Sequence, residues 1–212
     1  MQRSADLSLA DFAAALGSVN PCPGASCASA VPAALAAALV AMVARQTAAS
    51  DSFSDLADDM ESVAAEADHL RAELLGAVEE EIRAFERVIS ARRAARSREI
   101  PAAYRAALQP PLHVCELSLR VLELAVDVAE RGHPYAAPDA GGAAVFAAAA
   151  LESAALSVEL ELSVIEDEGF RAARIEEVMR ARDRGCALRD SALAAVHEKL
   201  ELPRARVRAS HG

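Results

Sequence analysis

Alanine constrains the fold of this chain more than any other feature of its sequence. Of the 212 residues, 53 are alanine, whereas aromatic residues make up only 3% and threonine occurs once, at Thr47. Alanine has the highest intrinsic helix propensity, and the β-branched and aromatic residues that favour strands are scarce. The composition therefore predicts an all-α fold in which small side chains let helices approach one another closely.

The charge balance and the cysteines indicate a cytoplasmic protein. The formal net charge of −10 makes nucleic acid and anionic membrane surfaces unexpected partners. The four cysteines form no Cys-x-x-Cys pair, and the acidic N-terminal residues do not resemble a signal peptide. Residues 19–44 carry no charge, but this stretch contains three prolines and many small residues. It predicts a buried central helix rather than a membrane span.

Apolar residues at helical spacing divide the chain into five or six helices. The first follows Ser8, a candidate cap, and ends near Gly17, and the second covers about 26–47. One apolar stripe then runs from Ser54 to Arg93, which predicts a helix of about 40 residues and 55 to 60 Å. The remaining helices are expected at about 101–131, broken or kinked at Pro110-Pro111, and at about 138–165 and 168–200.

The chain is expected to form one domain over residues 1–212, because no repeat or change of composition marks a boundary. The predicted architecture is an antiparallel bundle of five to six helices with a frayed tail over 203–212. The long helix exceeds what a compact monomer of this size can cover. We therefore expect a homodimer or higher homo-oligomer in which the long helix and its Ala-rich neighbours form the interface.

A helical bundle can hold a pair of metal ions between Glu-x-x-His motifs, and the chain contains two of these motifs. Glu66 and His69 lie inside the long helix. Glu130 and His133 span the helix end at Gly132, so their side chains cannot share a face. We therefore expect no bound metal.

Other polar residues could carry chemistry. Glu79, Glu80 and Glu81 follow one another on the long helix, and because consecutive residues point 100° apart, at most two can face inward. Asp139 follows Pro138 at a helix start, where the alternative role is a helix cap. Arginines near the end of the long helix fit either the helix dipole or an anion site; they include Arg92, Arg93 and Arg96. Cys22 and Cys27 are expected to be structural thiols.

Motifs over nearly the whole chain carry a family resemblance. Phe12 lies in a first apolar helix, Asn20-Pro-Cys-Pro-Gly24 forms a loop, and an Ala-rich helix contains Leu39-Val-Ala-Met-Val43. Later landmarks follow in order: Glu79, Glu81, Ala84, Phe85, Glu116, Asp139, Val158, Leu160, Leu162 and Asp167. This pattern resembles the cyclodeaminase domain of formiminotransferase-cyclodeaminase, which also occurs alone as bacterial methenyltetrahydrofolate cyclohydrolase. The resemblance implies an all-helical bundle that dimerises.

The chain departs from the family pattern at three places. The family's Gly-Gly-Gly-Ser loop is replaced by Gly24-Ala-Ser-Cys27, which puts side chains where backbone would approach a ligand. Two asparagines of the family are replaced by Ser157 and Glu161. Two family aspartates before Ala-Phe are replaced by Glu79 and Glu81, whereas Asp139 is retained.

The resemblance implies acid/base chemistry at a carbon–nitrogen bond of a tetrahydrofolate one-carbon unit, with no cofactor beyond this substrate. The implied proton-transfer residues are Asp139, Glu79 and Glu81, with Asp139 the first choice. The implied substrate-binding residues are Pro23, Gly24, Ala25, Ser26, Cys27, Phe85, Ser157 and Glu161, and Arg92 and Arg93 for the anionic folate tail. We expect the site to be one cleft. It is formed by the loop from Asn20 to Cys27, the inward carboxylates of the long helix, the Asp139 turn and the helix face that carries Ser157 and Glu161.

Three hypotheses for function remain open from the sequence. The first is a folate enzyme, either a cyclohydrolase or a cyclodeaminase. The second is an enzyme of the same fold that acts as a cyclase, or on an amidine or imine, with a different small molecule of specialised metabolism. The third is a non-catalytic helical binding protein.

Overall fold

The computed structural model describes residues 4–20, 22–94 and 99–209, with side chains through residue 200. This part of the chain contains no strand, and its helices are α1 (Leu9–Leu16), α2 (Ala25–Ala48), α3 (Ala57–Arg93), α4 (Ile100–Ala107), α5 (Gln109–Arg131), α6 (Ala137–Leu162) and α7 (Glu168–Ala209). They pack as a bundle, so the expected all-α fold is confirmed.

Helix boundaries differ from the expected ones at a few positions. A 3₁₀ turn over Asp51–Leu56 precedes α3, which therefore begins at Ala57 and has 37 residues. The expected 101–131 helix is broken at Leu108, and Pro110 and Pro111 lie in the first turn of α5, where a missing N–H costs little. Helix α7 has 42 residues and continues to Ala209, beyond the end expected near Leu200. Residues 210–212 of the expected tail lie outside the described residues.

Helices α2 and α6 form the centre of the bundle, and α2 packs against α3 as well. Their inward positions are mostly alanines with no exposed surface, including Ala33, Ala36, Ala37, Ala140, Ala144 and Ala147. By length and composition alone, α2 and the segment Pro134–Leu162 could each span a membrane. Within the bundle, 61% of the most apolar 18-residue stretch of α2 is buried, and 44% of that of the second segment. For α2 this agrees with the buried central helix that the sequence predicts.

The apolar stripe of α3 faces the core as its spacing predicts. Met60, Leu74 and Val78 are almost completely buried. Positions on the opposite side of α3 are mostly charged and exposed. In a single chain the outward face of α3 is therefore mostly charged.

Two central helices leave an apolar face uncovered, which we call the α2–α6 face. It consists of partly or fully exposed residues at helical spacing, and Leu35 on α2 and Leu156 and Leu160 on α6 are 51%, 56% and 70% exposed. A Cβ at Gly142 would contact the Leu39 side chain, so the two stripes lie side by side. The stripes contain Ala28, Val31, Leu35, Leu39, Met42, Gly142, Val145, Phe146, Ala149, Ser153, Leu156 and Leu160, and none of these is charged.

Gly132 and Gly76 differ in the space around them, so substitution of each by alanine tests how closely the chain packs there. A Cβ at Gly132 would lie 2.3 Å from the Val128 carbonyl oxygen, whereas a Cβ at Gly76 meets nothing within 4 Å. We expect Gly132→Ala to lower the free energy of unfolding by about 1–3 kcal/mol because backbone must shift. We expect Gly76→Ala to raise it by about 0.5–1 kcal/mol because helical glycine is replaced without a clash.

Urea unfolding of both variants and the wild type measures these differences. Equal stability of Gly132→Ala and the wild type would contradict the close approach of Gly132 to the Val128 carbonyl oxygen and to the Val43 side chain of α2, which would lie 3.0 Å from a Cβ at this position.

Candidate active site

A cavity of about 180 Å³ lies where the start of α2 meets the end of α6 and the middle of α3. The two central helices run antiparallel, so the loop before α2 lies beside the last turns of α6. The cavity is lined by Cys22, Gly24, Ala25, Ser26, Cys27, Glu81, Phe85, Ser157, Leu160 and Glu161.

Most of the expected binding residues meet in this cavity. The loop from Gly24 to Cys27, the side chains of Phe85 and Ser157, and both Glu81 and Glu161 are brought together from three separate segments. Cys22 also lines the cavity, as part of the loop from Asn20 to Cys27 that was expected to form the cleft. One lining residue was missed, Leu160, which has the spacing of any apolar helix residue and gave no signal.

Glu81 is the most enclosed acid of the cavity, with 8% of its surface exposed. The Ser26 hydroxyl donates a hydrogen bond to its carboxylate. Its Oε2 atom is buried without a hydrogen-bond partner among the described residues. Burial raises the pKa of Glu81 above its ordinary value, and the bond from Ser26 opposes this shift in part. Glu81 is therefore a partly desolvated acid with one free oxygen.

Glu161 contributes a second carboxyl from the last turn of α6. Its Oε2 is also buried without a partner among the residues described. Burial, and then the negative charge of Glu81, raise the pKa of Glu161 to about 7. This carboxyl can therefore gain or lose a proton near neutral pH.

The two thiols of the cavity are not suited to nucleophilic chemistry. Cys27 is 1% exposed, and burial raises its pKa to about 12. Burial also raises the pKa of Cys22, and its side chain is hydrogen bonded to that of Cys27. Because the thiolate is the reactive form, both groups are inert at neutral pH. This agrees with the structural role expected for them.

A larger groove of about 740 Å³ adjoins the cavity and shares Cys22 and Phe85 with it. Arg93 and Glu86 line this groove. Arg92 instead lies over the Tyr104 ring, 5.7 Å from its centroid. Of the expected anion-binding arginines, Arg93 thus lies at the site, and Arg96 falls outside the described residues. Pro23, which follows Cys22 through a cis peptide bond, does not line either space.

Two of the three expected catalytic carboxylates lie elsewhere. Glu79 accepts hydrogen bonds from the backbone N–H groups of Ser4 and Ala5, so it holds the N-terminal turn. Asp139 lies in the first turn of α6, which is preceded by Ala136 in the cap position, so the alternative role of Asp139 as a cap is wrong. Ser157 follows Asp139 by 18 residues, which is about 27 Å along the helix. Within a single chain Asp139 therefore does not reach the cavity, and its catalytic role stays a prediction.

The side chains of the two Glu-x-x-His motifs contact different partners and do not face a common site. Both oxygens of Glu66 accept hydrogen bonds from Arg120, at 2.5 and 2.9 Å, and His69 pairs with Glu73. His133 lies between the rings of Phe53 and Tyr135. Within the described residues, no group of three or more His, Cys, Asp or Glu side chains could hold a metal ion.

Comparison with known proteins identifies the class. The family model of formiminotransferase-cyclodeaminase matches residues 8–180. A methenyltetrahydrofolate cyclohydrolase of Methylorubrum extorquens is 31% identical over 176 residues, which cover 79% of this chain and 85% of that protein. The crystal structure of a formiminotetrahydrofolate cyclodeaminase from Thermotoga maritima superposes with a TM-score of 0.81 at 26% identity, over 92% of this chain and 96% of that one.

These matches define a helical fold shared by cyclodeaminases and cyclohydrolases. The chain belongs to the formiminotransferase-cyclodeaminase family. The resemblance seen in the sequence motifs is thereby confirmed.

Proposed function

We propose that this protein is a cytoplasmic folate enzyme that hydrolyses a C–N bond of the methenyl bridge of a tetrahydrofolate, as the relative from Methylorubrum extorquens is named to do. One observation carries the proposal: the desolvated Glu81 carboxyl, whose Oε2 has no hydrogen-bond partner among the described residues, lines a cavity beside the loop from Gly24 to Cys27. The matched region includes every residue of that cavity.

Glu81 is the proposed general base. The cavity removes its carboxyl from bulk water, which raises its basicity, while the Ser26 hydroxyl orients it. In this scheme a water molecule lies between Glu81 and the electrophilic methenyl carbon, and Glu81 takes a proton as the water oxygen bonds to carbon. The reaction then needs no redox cofactor, and the tetrahydrofolate derivative is the substrate.

The adjoining groove is the proposed place of the folate tail. A cavity of about 180 Å³ has room for the reacting end of a substrate but not for a whole folate. The groove continues from it past Phe85 to Arg93, whose guanidinium can pair with a carboxylate of the tail. Arg93 thereby takes the anion-binding role that the resemblance implies.

A pair of matched variants tests the role of Glu81. We expect Glu81→Gln to lower kcat for methenyltetrahydrofolate hydrolysis by roughly 10²- to 10⁴-fold, because the base is lost and the shape is kept. Glu79→Gln makes the same chemical change two residues away, outside the cavity, and should keep wild-type turnover. The absorbance of the methenyl group reports both rates.

Wild-type turnover in Glu81→Gln would contradict this role. The same proteins assayed with formiminotetrahydrofolate decide between hydrolysis and cyclodeamination, and activity on neither folate would favour a different small molecule.

We also propose that the protein is a homodimer joined through the α2–α6 face. The described part of α3 presents charged residues to solvent, so the interface is not expected there. The α2–α6 face is uncharged and belongs to two antiparallel helices, so a two-fold axis can place the same helix pair of a second copy against it. A second copy would cover exposed leucines such as Leu156 and Leu160.

Two substitutions at equally exposed positions test the dimer. Leu156 on the face and Met179 on α7 are each 56% exposed. We expect Leu156→Glu to give a particle of one 22.2 kDa chain by light scattering, because charges would face each other across the two-fold axis. Met179→Glu and the wild type should give twice that mass. A wild-type particle of single-chain mass at micromolar concentration would overturn the dimer.

A further inference from the structure

Among the residues that the structure describes, two carboxyl groups from different helices and no cation line the cavity. Glu81 comes from α3 and Glu161 from α6, and each has a buried Oε2 without a hydrogen-bond partner among the described residues. The lining residues in the described part of the chain include no lysine, arginine or histidine. The two acids therefore lack the usual partner that would offset their charge.

The described groups around this pair do not offset its charge. The segment before and at the start of α2 presents the two neutral thiols and the Ser26 hydroxyl, and α6 presents Ser157. On α7, Arg182 is held by Glu152 and Glu159, and on α4 Arg105 is paired with Asp167. The adjoining groove adds Glu86 and Arg93, which line that groove and not the cavity.

Two carboxylates in one partly desolvated cavity repel each other, so ionisation of both is unfavourable. The first proton lost leaves a negative charge that opposes loss of the second. Burial, and then the negative charge of Glu81, raise the pKa of Glu161. A single proton held by the pair relieves the repulsion between the two groups.

We propose that Glu161 is a second catalytic residue of this cavity and that Glu81 and Glu161 hold one proton between them in the resting protein. This rests on the proposed function, which assigns a folate to the cavity. The ionised carboxyl then acts as base, and the protonated one acts as acid toward the leaving nitrogen.

The proton count of this scheme balances. Water adds to the methenyl cation, a C–O bond forms, and one water proton passes to the ionised carboxyl, which leaves a neutral carbinolamine. Next the protonated carboxyl gives its proton to the leaving nitrogen, and the C–N bond breaks. The hydroxyl proton returns to that carboxylate as the C=O bond forms. One proton is then released to solvent, which equals the positive charge lost by the substrate.

The first test needs no substrate. A carboxyl whose pKa is raised in the folded state contributes stability below its unfolded pKa and loses it as pH rises through the folded pKa. The urea midpoint of the wild type should therefore fall between about pH 5 and pH 8, and that of Glu161→Gln should fall less. If the two acids share a proton, the pH dependences of Glu81→Gln, Glu161→Gln and the double variant are not additive.

The second test is the pH–rate profile. We expect Glu161→Gln to lower kcat about 10²-fold and to remove the loss of rate on the alkaline side, because no acid remains to ionise there. Glu166→Gln, a change at an exposed acid beyond α6, is the control and should keep both the rate and the profile.

The two tests separate the possible failures. Additive pH dependences of stability would overturn the shared proton, even if the folate is turned over. A lower kcat in Glu161→Gln with an unchanged pH profile would reduce Glu161 to a positioning residue and overturn its role as acid. Non-additive stability in a protein that acts on no folate would keep the pair and overturn the proposed function instead.

Discussion

Close antiparallel packing of α2 on α6 is the constraint on which the rest of this structure depends. Alanines at the contact have no exposed surface, so the two helices approach without large side chains between them. Antiparallel packing places the start of one helix against the end of the other. The loop before α2 and the last turns of α6 therefore meet, and α3 closes the cavity between them. Larger residues at these alanine positions would separate the walls of the site.

Much of this could be predicted from the sequence, because helix propensity and periodicity are local properties. The α3 stripe placed Met60 and Leu74 in the core. The same spacing separates Glu79 from Glu81. Glu81 follows Val78 by three residues and therefore lies on the buried stripe of α3, whereas Glu79 points about 200° away. The contact of Glu79 with the N-terminal turn, in contrast, could not be predicted from local spacing, because it joins distant parts of the chain.

Asp139 illustrates a second limit. Its motif places it correctly at a helix start, but its distance from the rest of the site depends on how long that helix continues. Helix α6 runs unbroken to Leu162, so the two ends of one helix hold groups that the sequence grouped together. Glu161 is the opposite case. It was expected only among the substrate-binding residues, and it lies in the same cavity as Glu81 as a second acid. Its significance depends on desolvation and on a neighbouring charge, and neither can be inferred from residue spacing.

The central claim is that the cavity between α2, α3 and α6 binds the reacting end of a tetrahydrofolate. Calorimetric titration of tetrahydrofolate into the wild type and into Ser157→Trp tests this claim most directly, because an indole at that position fills the cavity without changing a charge. We expect saturable binding to the wild type and none to the folded Ser157→Trp variant. Absence of binding to the wild type, or equal binding to both proteins, would contradict it.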